Sequence, residues 1–467
     1  MLKIPSRRIH YLRSKLFIPN FVQIEKENPK GTNTSKSISS IIMEKNGFIS
    51  GSKTGGLTTF LPLGKRVLNK ITEIIREEMN KIGGQEISMP CLSDLSLWKK
   101  TQRDEIIGNE LFKLEDRKKR QLCLCPTHEE IVTSLVANYS KSLNSKIFGE
   151  HQALSLYQIT TKYRDEPQPK HGLLRGREFL MKDMYSFHLS DQCARNTYEN
   201  VCKGYESILN RLDLKYIKVQ ASTGAMGGTM SHEYQVESPI GEDTIFECKE
   251  CGKAVSNDMI DPNKGNIENM CDIFKCDNRK GTSVLKKTSI EVGHAFILGD
   301  RYTKVFPFSS HEHVLMGCYG IGVSRLIQAC VEFNQQNERY PNWPMQIAPF
   351  QVIIIPPKNG SKEEANGNVC VNKLLEEFSG QISFKDDILV DDRTDMSIGS
   401  RLIDAKLVGS RYIIVLGKLL NQNKVEIIIN SKSIENVIKK ESFVCSINDV
   451  LKTIIKFDHL YNKAKNI

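Results

Sequence analysis

The sequence predicts an α+β protein that carries a separate α/β unit at its C-terminal end. Three observations predict it. An amphipathic helical stripe occupies Gly64–Ile82, and Tyr163–Phe179 (YRDEPQPKHGLLRGREF) reads as a hairpin. After a proline-rich break at Pro341–Pro349 (PNWPMQIAP), the pattern alternates regularly between strand and helix.

Residues 1–24 contain no acidic side chain and intersperse Lys3, Arg7, Arg8, Arg13 and Lys15 with Leu, Ile and Tyr, the composition of an organellar transit peptide. A disordered basic arm that helps to bind nucleic acid has the same composition. The polar run Glu25–Ser40 would link this segment to the folded body. In Gly64–Ile82 the apolar residues Val67, Leu68, Ile71, Ile74, Ile75, Met79 and Ile82 form a helical stripe, and Gly83-Gly84 supply a stop. Gln85–Pro90 is short, extended and closed by proline, which suits an edge or interface strand. Val136–Ile159 reads as helix and then strand, leading into the hairpin, and Asp191–Leu212 as a polar helix followed by more strands. Beyond the break, Phe350–Ile355, Ile388–Val390, Tyr412–Leu416 and Val425–Ile429 read as strands, with helices at Val369–Phe378 and Met396–Val408. This is a compact unit of about 120 residues, near the usual domain size.

Bulk properties narrow the function classes. A chain of 467 residues implies two or three domains, and 39% hydrophobic with 26% charged residues is a globular composition. No apolar run approaches the ~20 residues that span a bilayer. A formal charge of +10 suits a polyanionic partner, although diffuse basicity is also common in proteins that never touch nucleic acid. The thirteen cysteines are mostly scattered through core-like segments, as at Cys202, Cys330 and Cys370, which is thiol usage of a reducing compartment.

Three constellations carry chemistry. In the hairpin, Arg164 and Glu166 stand two residues apart, so on a strand they share one face. The planar fork of Arg suits phosphate or carboxylate, Glu166 would accept from an amine, and Phe179 offers a flat ring for a purine. An ordinary hairpin with a cross-strand ion pair would contain the same residues. The glycine-rich GCYGIGVSR, Gly317–Arg325, opens a helix and lets backbone approach a ligand closely, with Arg325 in its first turns. Cys248-x-x-Cys251 with Cys271 and Cys276 reads as a zinc ribbon whose second pair has an unusual spacing, or as a set of surface thiols.

A proline-ended strand after a long helix, an Arg-x-Glu hairpin and a Gly-rich strand-helix with an Arg resemble the three motifs of class II aminoacyl-tRNA synthetases. CPTHEE (Cys125–Glu130), REFLMKDMYSFH (Arg177–His188), TGAMGGTMSHEY (Thr223–Tyr234), EVGHAFILG (Glu291–Gly299) and MGCYGIGVSR narrow the resemblance to the prolyl-tRNA synthetase family. LVDDRTDMSIGSRLIDAKLVG (Leu389–Gly409) is similar to that family's anticodon-binding domain. The resemblance implies a largely antiparallel catalytic sheet with helices in residues 25–347, a small cysteine-containing insertion at 245–288, and an anticodon-binding domain at 348–467. It also implies a homodimer, built through the helix and strand that end at Pro90.

The implied reaction joins proline to ATP as prolyl-adenylate, with Mg²⁺ assisting, and then to tRNA(Pro) in the mitochondrial matrix, or in the cytoplasm if the basic N-terminus is not a leader. By analogy Arg164 holds the α-phosphate and the substrate carboxylate, Glu166 the adenine amino group or a water, Phe179 the adenine face and Arg325 the γ-phosphate. Thr127 and Glu129 accept from the proline ammonium, Glu233 and His294 complete the polar side of the pocket, and Cys318 and Phe187 pack against the ring. Lys170, His171 and Arg175 could reach the acceptor end of tRNA, and Asp392, Arg393 and Arg401 the anticodon, a solvated charged face being the plain alternative for all six. Thr223–Gly228 to Glu291 leaves no room for an editing domain, so no editing in cis is expected.

Two rivals share the architecture. A threonyl-tRNA synthetase would need zinc held by one Cys and two His; Cys125 stands where that Cys could be, but Tyr185 occupies the place of a second ligand. A catalytically inactive accessory subunit could lose its ATP residues, whereas Arg164, Glu166, Phe179 and Arg325 are all present.

Overall fold

The computed structural model describes residues 11–19, 37–260, 284–309, 313–334, 340–431, 434 and 437–465. A short strand β1 (Tyr11–Leu12) comes first, followed by helix α1 (Pro62–Lys81), strand β2 (Gln85–Glu86), helix α2 (Glu129–Tyr139) and the long pair β3 (Leu154–Tyr163) and β4 (Glu178–His188). Helix α3 (Asp191–Arg211) leads to β5 (Ile217–Gln220), β6 (Met230–Glu237), β7 (Asp243–Cys248), β8 (Ala254–Ser256), β9 (Val284–Gly299) and β10 (Leu315–Gly322), which runs directly into α4 (Val323–Asn334). The C-terminal unit consists of β11 (Val352–Ile355), α5 (Glu364–Ser379), β12 (Ile388–Val390), α6 (Ile398–Val408), β13 (Tyr412–Val415), β14 (Lys424–Ile429), β15 (Ser442–Ser446) and α7 (Val450–Lys465).

Among the described residues, nine strands form one sheet in the order β6-β5-β8-β7-β9-β10-β4-β3-β2. It is antiparallel except where β5 meets β8 and β2 meets β3. Helices α1, α3 and α4 bury their apolar sides against one face, including Ile71, Ile75, Tyr205, Ile208, Leu326 and Cys330. The other face is left for the site. A second sheet has the order β1-β12-β11-β13-β14-β15, parallel through β13 and antiparallel beyond it.

The helical stripe of α1 is buried as its period requires, but the helix begins two residues before Gly64. Gly64 lies inside it because a Cβ there would stand 2.1 Å from the carbonyl oxygen of Phe48. The strand expected over Gln85–Pro90 narrows to β2 at the sheet edge, and the rest is held by Ile87 N–H to Tyr157 O and by Met89 N–H to the Gln158 side chain.

The hairpin departs from the expectation at its tip. Its strands end at Tyr163 and resume at Glu178, and the Glu166 N–H donates back to the Arg164 carbonyl at 2.8 Å. The chain therefore turns between these residues, and the shared strand face assigned to Arg164 and Glu166 does not form.

Part of the basic N-terminal segment is built into the fold. Residues 11–19 have a place in the fold: β1 lies parallel to β12, Ser14 donates through its backbone N–H and hydroxyl to Asp392, and Arg13 pairs with Asp404 at 3.4 Å. In the Pro341–Pro349 break Trp343, Met345 and Ile347 are buried, with Trp343 packed on Phe48.

Candidate active site

The open face of the large sheet is built by alternation. In the β10–β4 ladder Cys318 faces Tyr185, Gly320 faces Asp183 and Gly322 faces Met181, and on the other side of β10 Gly320 faces His294. The glycines of β10 therefore lie in a strand and not in a phosphate loop. Gly317 belongs to the helix-covered side, where a Cβ would meet the Tyr319 hydroxyl at 2.3 Å. At Gly320 a Cβ would find only the Met181 sulfur, at 3.8 Å, so this glycine leaves open space above the floor of the site.

At one end of this floor, Thr127 precedes α2 and Glu129 is its first residue. Glu129 is 0% exposed, and Arg103, itself 2% exposed, donates to it at 2.9 Å. The Thr127 hydroxyl donates to the same carboxylate at 2.6 Å and the Cys318 thiol at 3.2 Å. Burial opposes the charge of Glu129, but Arg103, Thr127 and Cys318 outweigh it and hold the pKa below the ordinary carboxylate range. Neighbouring Glu130 shares Arg103 at 3.1 Å, and burial together with the charge of Glu129 raises its pKa. One guanidinium thus faces two acidic side chains, and of the two Glu129 is the one held in its charged form. Arg103 also lies over the rings of Trp98 and Tyr302, at 5.1 and 5.5 Å. Sequence reading missed it, because Lys-Thr-Gln-Arg has no motif character and only the fold carries Arg103 to Glu129.

At the other end stand two arginines. Arg164 lies half-buried over the Phe179 ring at 5.2 Å, and among the described residues it has no ion-pair partner. Its pKa is lowered by burial and by the charge of Arg325. Arg325 donates to the carbonyls of Leu174 and Glu291, at 3.0 and 2.9 Å, and lies 3.4 Å from the Glu291 carboxylate. Two neighbouring cations with one carboxylate between them form a site for an anion.

Between the two ends, Glu233, Glu291 and His294 converge, with ligand atoms within 4.8 Å of one another. His294 stacks on Phe296 at 3.8 Å, contacts Glu291 through Nδ1 at 3.0 Å and Ser231 through Nε2 at 2.6 Å. Against burial, His294, Arg325 and Arg164 hold Glu291 down to about 2. Burial and the charge of Glu291 push Glu233 up to about 7. Glu291 stands in the EVGHAF block, yet nothing in the spacing marked it as a site residue.

Other expected site residues lie elsewhere. Phe187 is fully buried in an apolar cluster with Met316, Val314 and Cys318. Glu166 is paired with Arg175 at 2.8 Å, which also binds Glu242, and Lys170 reaches Glu242 too. The hairpin tip is therefore closed by ion pairs, and His171 sits at its turn with φ of 55°. Arg401 is 0% exposed and donates to the carbonyls of Asp391 and Pro356, which makes it a structural residue and removes it from the expected RNA surface. Arg393 is clamped by Asp391 and Asp404, and Asp392 is occupied by Ser14. Cys248 is buried and Cys251 exposed, while Cys271 and Cys276 lie outside the described residues.

Known proteins resemble this chain over most of its length. Residues 112–334 match the model of the tRNA synthetase class II core domain (G, H, P, S and T). The chain is 40% identical over 370 residues to a probable mitochondrial proline–tRNA ligase of Rattus norvegicus, covering 78% of this chain and 74% of that one. It is 35% identical over 416 residues to the corresponding protein of Schizosaccharomyces pombe, covering 88% and 93%. Among solved structures, the Giardia lamblia prolyl-tRNA synthetase in complex with prolyl-adenylate superposes with a TM-score of 0.70 at 18% identity, covering 92% of this chain and 82% of that one, a likeness of fold.

Proposed function

The chain belongs to the proline–tRNA ligase family of class II aminoacyl-tRNA synthetases, and from that premise we propose that its sheet floor joins proline to ATP between Glu129 and Arg164. The family reaction forms prolyl-adenylate and pyrophosphate and then esterifies the 3′ end of tRNA. The observation that supports this placement best is the polarity of the floor, with a buried ionised carboxylate at one end and, at the other, an arginine that has no ion-pair partner among the described residues. Proline is a zwitterion and would lie along that gradient.

Proline has two N–H donors. Its ammonium would meet the oxygen of Thr127, with Glu129 supplying the charge behind it, while Cys318 borders the ring. The substrate carboxylate would point to Arg164, which also neutralises the α-phosphate as a carboxylate oxygen attacks phosphorus and the bond to pyrophosphate breaks. Arg325 would hold the outer phosphates. No side chain acts as nucleophile, so the rate arises from placement and from charge stabilisation in a partly dry site. Glu291 and Glu233 offer the oxygen ligands that Mg²⁺ prefers, and the ion would add charge neutralisation to the phosphates. Glu166 would reach the adenine amino group only after releasing Arg175.

The C-terminal unit, residues 348–467, would bind the anticodon of tRNA(Pro), and a homodimer would form through α1 and the strand that ends at Pro90. Relatives at 40% and 35% identity are mitochondrial proteins by name, which supports a mitochondrial enzyme; import into the matrix by the basic N-terminus would require cleavage before Tyr11, because β1 belongs to the second sheet. The four-cysteine set would be tested by metal analysis of the purified protein. ATP–pyrophosphate exchange measured across the amino acids tests the central reading. Exchange that depends on proline supports it, and exchange with threonine alone or with no amino acid sinks it.

A further inference from the structure

Beneath the ammonium end of the floor lies a buried polar assembly that none of the substrate roles above uses. Lys162, His128 and Tyr185 are 0% exposed and Asp183 is 1% exposed. The Lys162 ammonium lies 2.7 Å from His128 Nδ1, 2.9 Å from Thr160 Oγ1 and 2.7 Å from Asp183 Oδ1. An ammonium has only donors, so His128 Nδ1 must accept, and its Nε2–H is left to donate to the Pro90 carbonyl at 3.1 Å. The other Asp183 oxygen accepts from the Tyr185 hydroxyl at 2.8 Å and from Gln158 at 3.1 Å.

These donors and acceptors set the direction of every proton around Thr127. A carboxylate can only accept, so the Tyr185 proton points at Asp183, and the Tyr185 oxygen accepts the His128 backbone N–H at 2.9 Å. Thr127 gives its own proton to Glu129 at 2.6 Å. The Thr127 oxygen lies 3.3 Å from Tyr185, and with both protons committed elsewhere its lone pairs stay available to a cation.

We infer that Asp183 and Tyr185, braced by Lys162, are positioning residues for proline: they fix the loop at Thr127 and keep its oxygen an acceptor for the substrate ammonium. This rests on the ammonium site proposed above. Asp183→Asn tests it directly. Its amide can donate to Tyr185, which turns the tyrosine proton toward Thr127 and occupies the oxygen that proline needs. Tyr185→Phe removes one hydroxyl and keeps the ring, so it preserves the packing even where a change at Lys162 or Asp183 would not.

The test is ATP–pyrophosphate exchange with KM read separately for proline and ATP, together with thermal unfolding. Each variant is expected to raise the proline KM about tenfold or more while the ATP KM stays within about twofold, the loss of one hydrogen bond to a charged group. A purely structural role would move both constants together or lower activity only in step with the folded fraction, and either result overturns the inference. Glu129→Gln runs alongside. If it raises the proline KM and Tyr185→Phe does not, the brace fails; if neither raises it, the ammonium site itself is wrong.

Discussion

At Arg164 binding and folding pull in opposite directions. Its guanidinium rests on Phe179, has no ion-pair partner among the described residues, and is disfavoured by burial and by Arg325. Arg164→Ala should therefore abolish proline-dependent exchange while changing stability by no more than about 0.5 kcal/mol. Retained exchange would overturn the role, and a large loss of stability would show an unrecognised structural contact. Glu233 provides a pH signature. Its pKa is raised to about 7, so the neutral carboxyl is the form the fold favours, and that contribution to stability is present at low pH and lost as pH rises through about 7. If Glu233 holds Mg²⁺, a proton competes with the ion below that pH. The Mg²⁺ concentration for half-maximal exchange should fall about tenfold per pH unit up to about 7 and then level off. Glu291, held to about 2, adds no slope in this range. His294 and Asp243 also face Glu233, so Glu233→Gln is the control that assigns the effect: it should flatten the profile, and a wild-type profile already flat would refute the assignment.

Elements with a strong internal period were legible in the sequence. The stripe of α1 appeared within two residues of its true bounds, and β12 at Ile388–Val390 matched its residues, because burial of one face or of a whole strand leaves a pattern in the chain itself. The hairpin was legible as a pair of strands but not at its tip, where the back-bond from Glu166 to Arg164 is a turn that alternation does not encode. Arg103 and the Lys162 assembly were invisible for a different reason: their partners are brought in by tertiary contacts from distant parts of the chain. β1 was not legible as a strand because its basic composition matches a leader; only the fold shows Arg13 pairing with Asp404 of α6 and Ser14 donating to Asp392 beyond β12. Two truncations separate these readings. Deleting residues 1–19 should lower stability by about 1–3 kcal/mol relative to deleting residues 1–10, the loss of a strand and its polar contacts. Equal stability of the two would show that β1 contributes nothing.

Across the whole molecule, the catalytic sheet and the C-terminal unit are joined by a charged clamp. Arg66 and Lys70 of α1 each approach Asp387 to 2.6 Å, and both also donate to backbone carbonyls, Arg66 to Pro349 and Asp386 and Lys70 to Ala348. Arg66 further lies over the rings of Tyr11 and Phe350, at 4.6 and 4.0 Å, so one side chain ties α1, the N-terminal strand and the second sheet together. Removing Asp387 would leave two largely buried cations side by side, and Asp387→Ala should cost about 2–4 kcal/mol. Its functional effect should be selective. Helix α1 covers the face of the sheet opposite Arg164 and Glu129, so proline-dependent exchange in the folded variant should keep its KM values within about twofold. If the second unit binds the anticodon as proposed, charging of tRNA needs the acceptor end at the floor and the anticodon at that unit simultaneously, and a loosened clamp would reduce the time both are engaged. Aminoacylation should therefore fall about tenfold more than exchange. A parallel loss of both activities would mean that the clamp acts on the catalytic floor and not on the spacing of the two units.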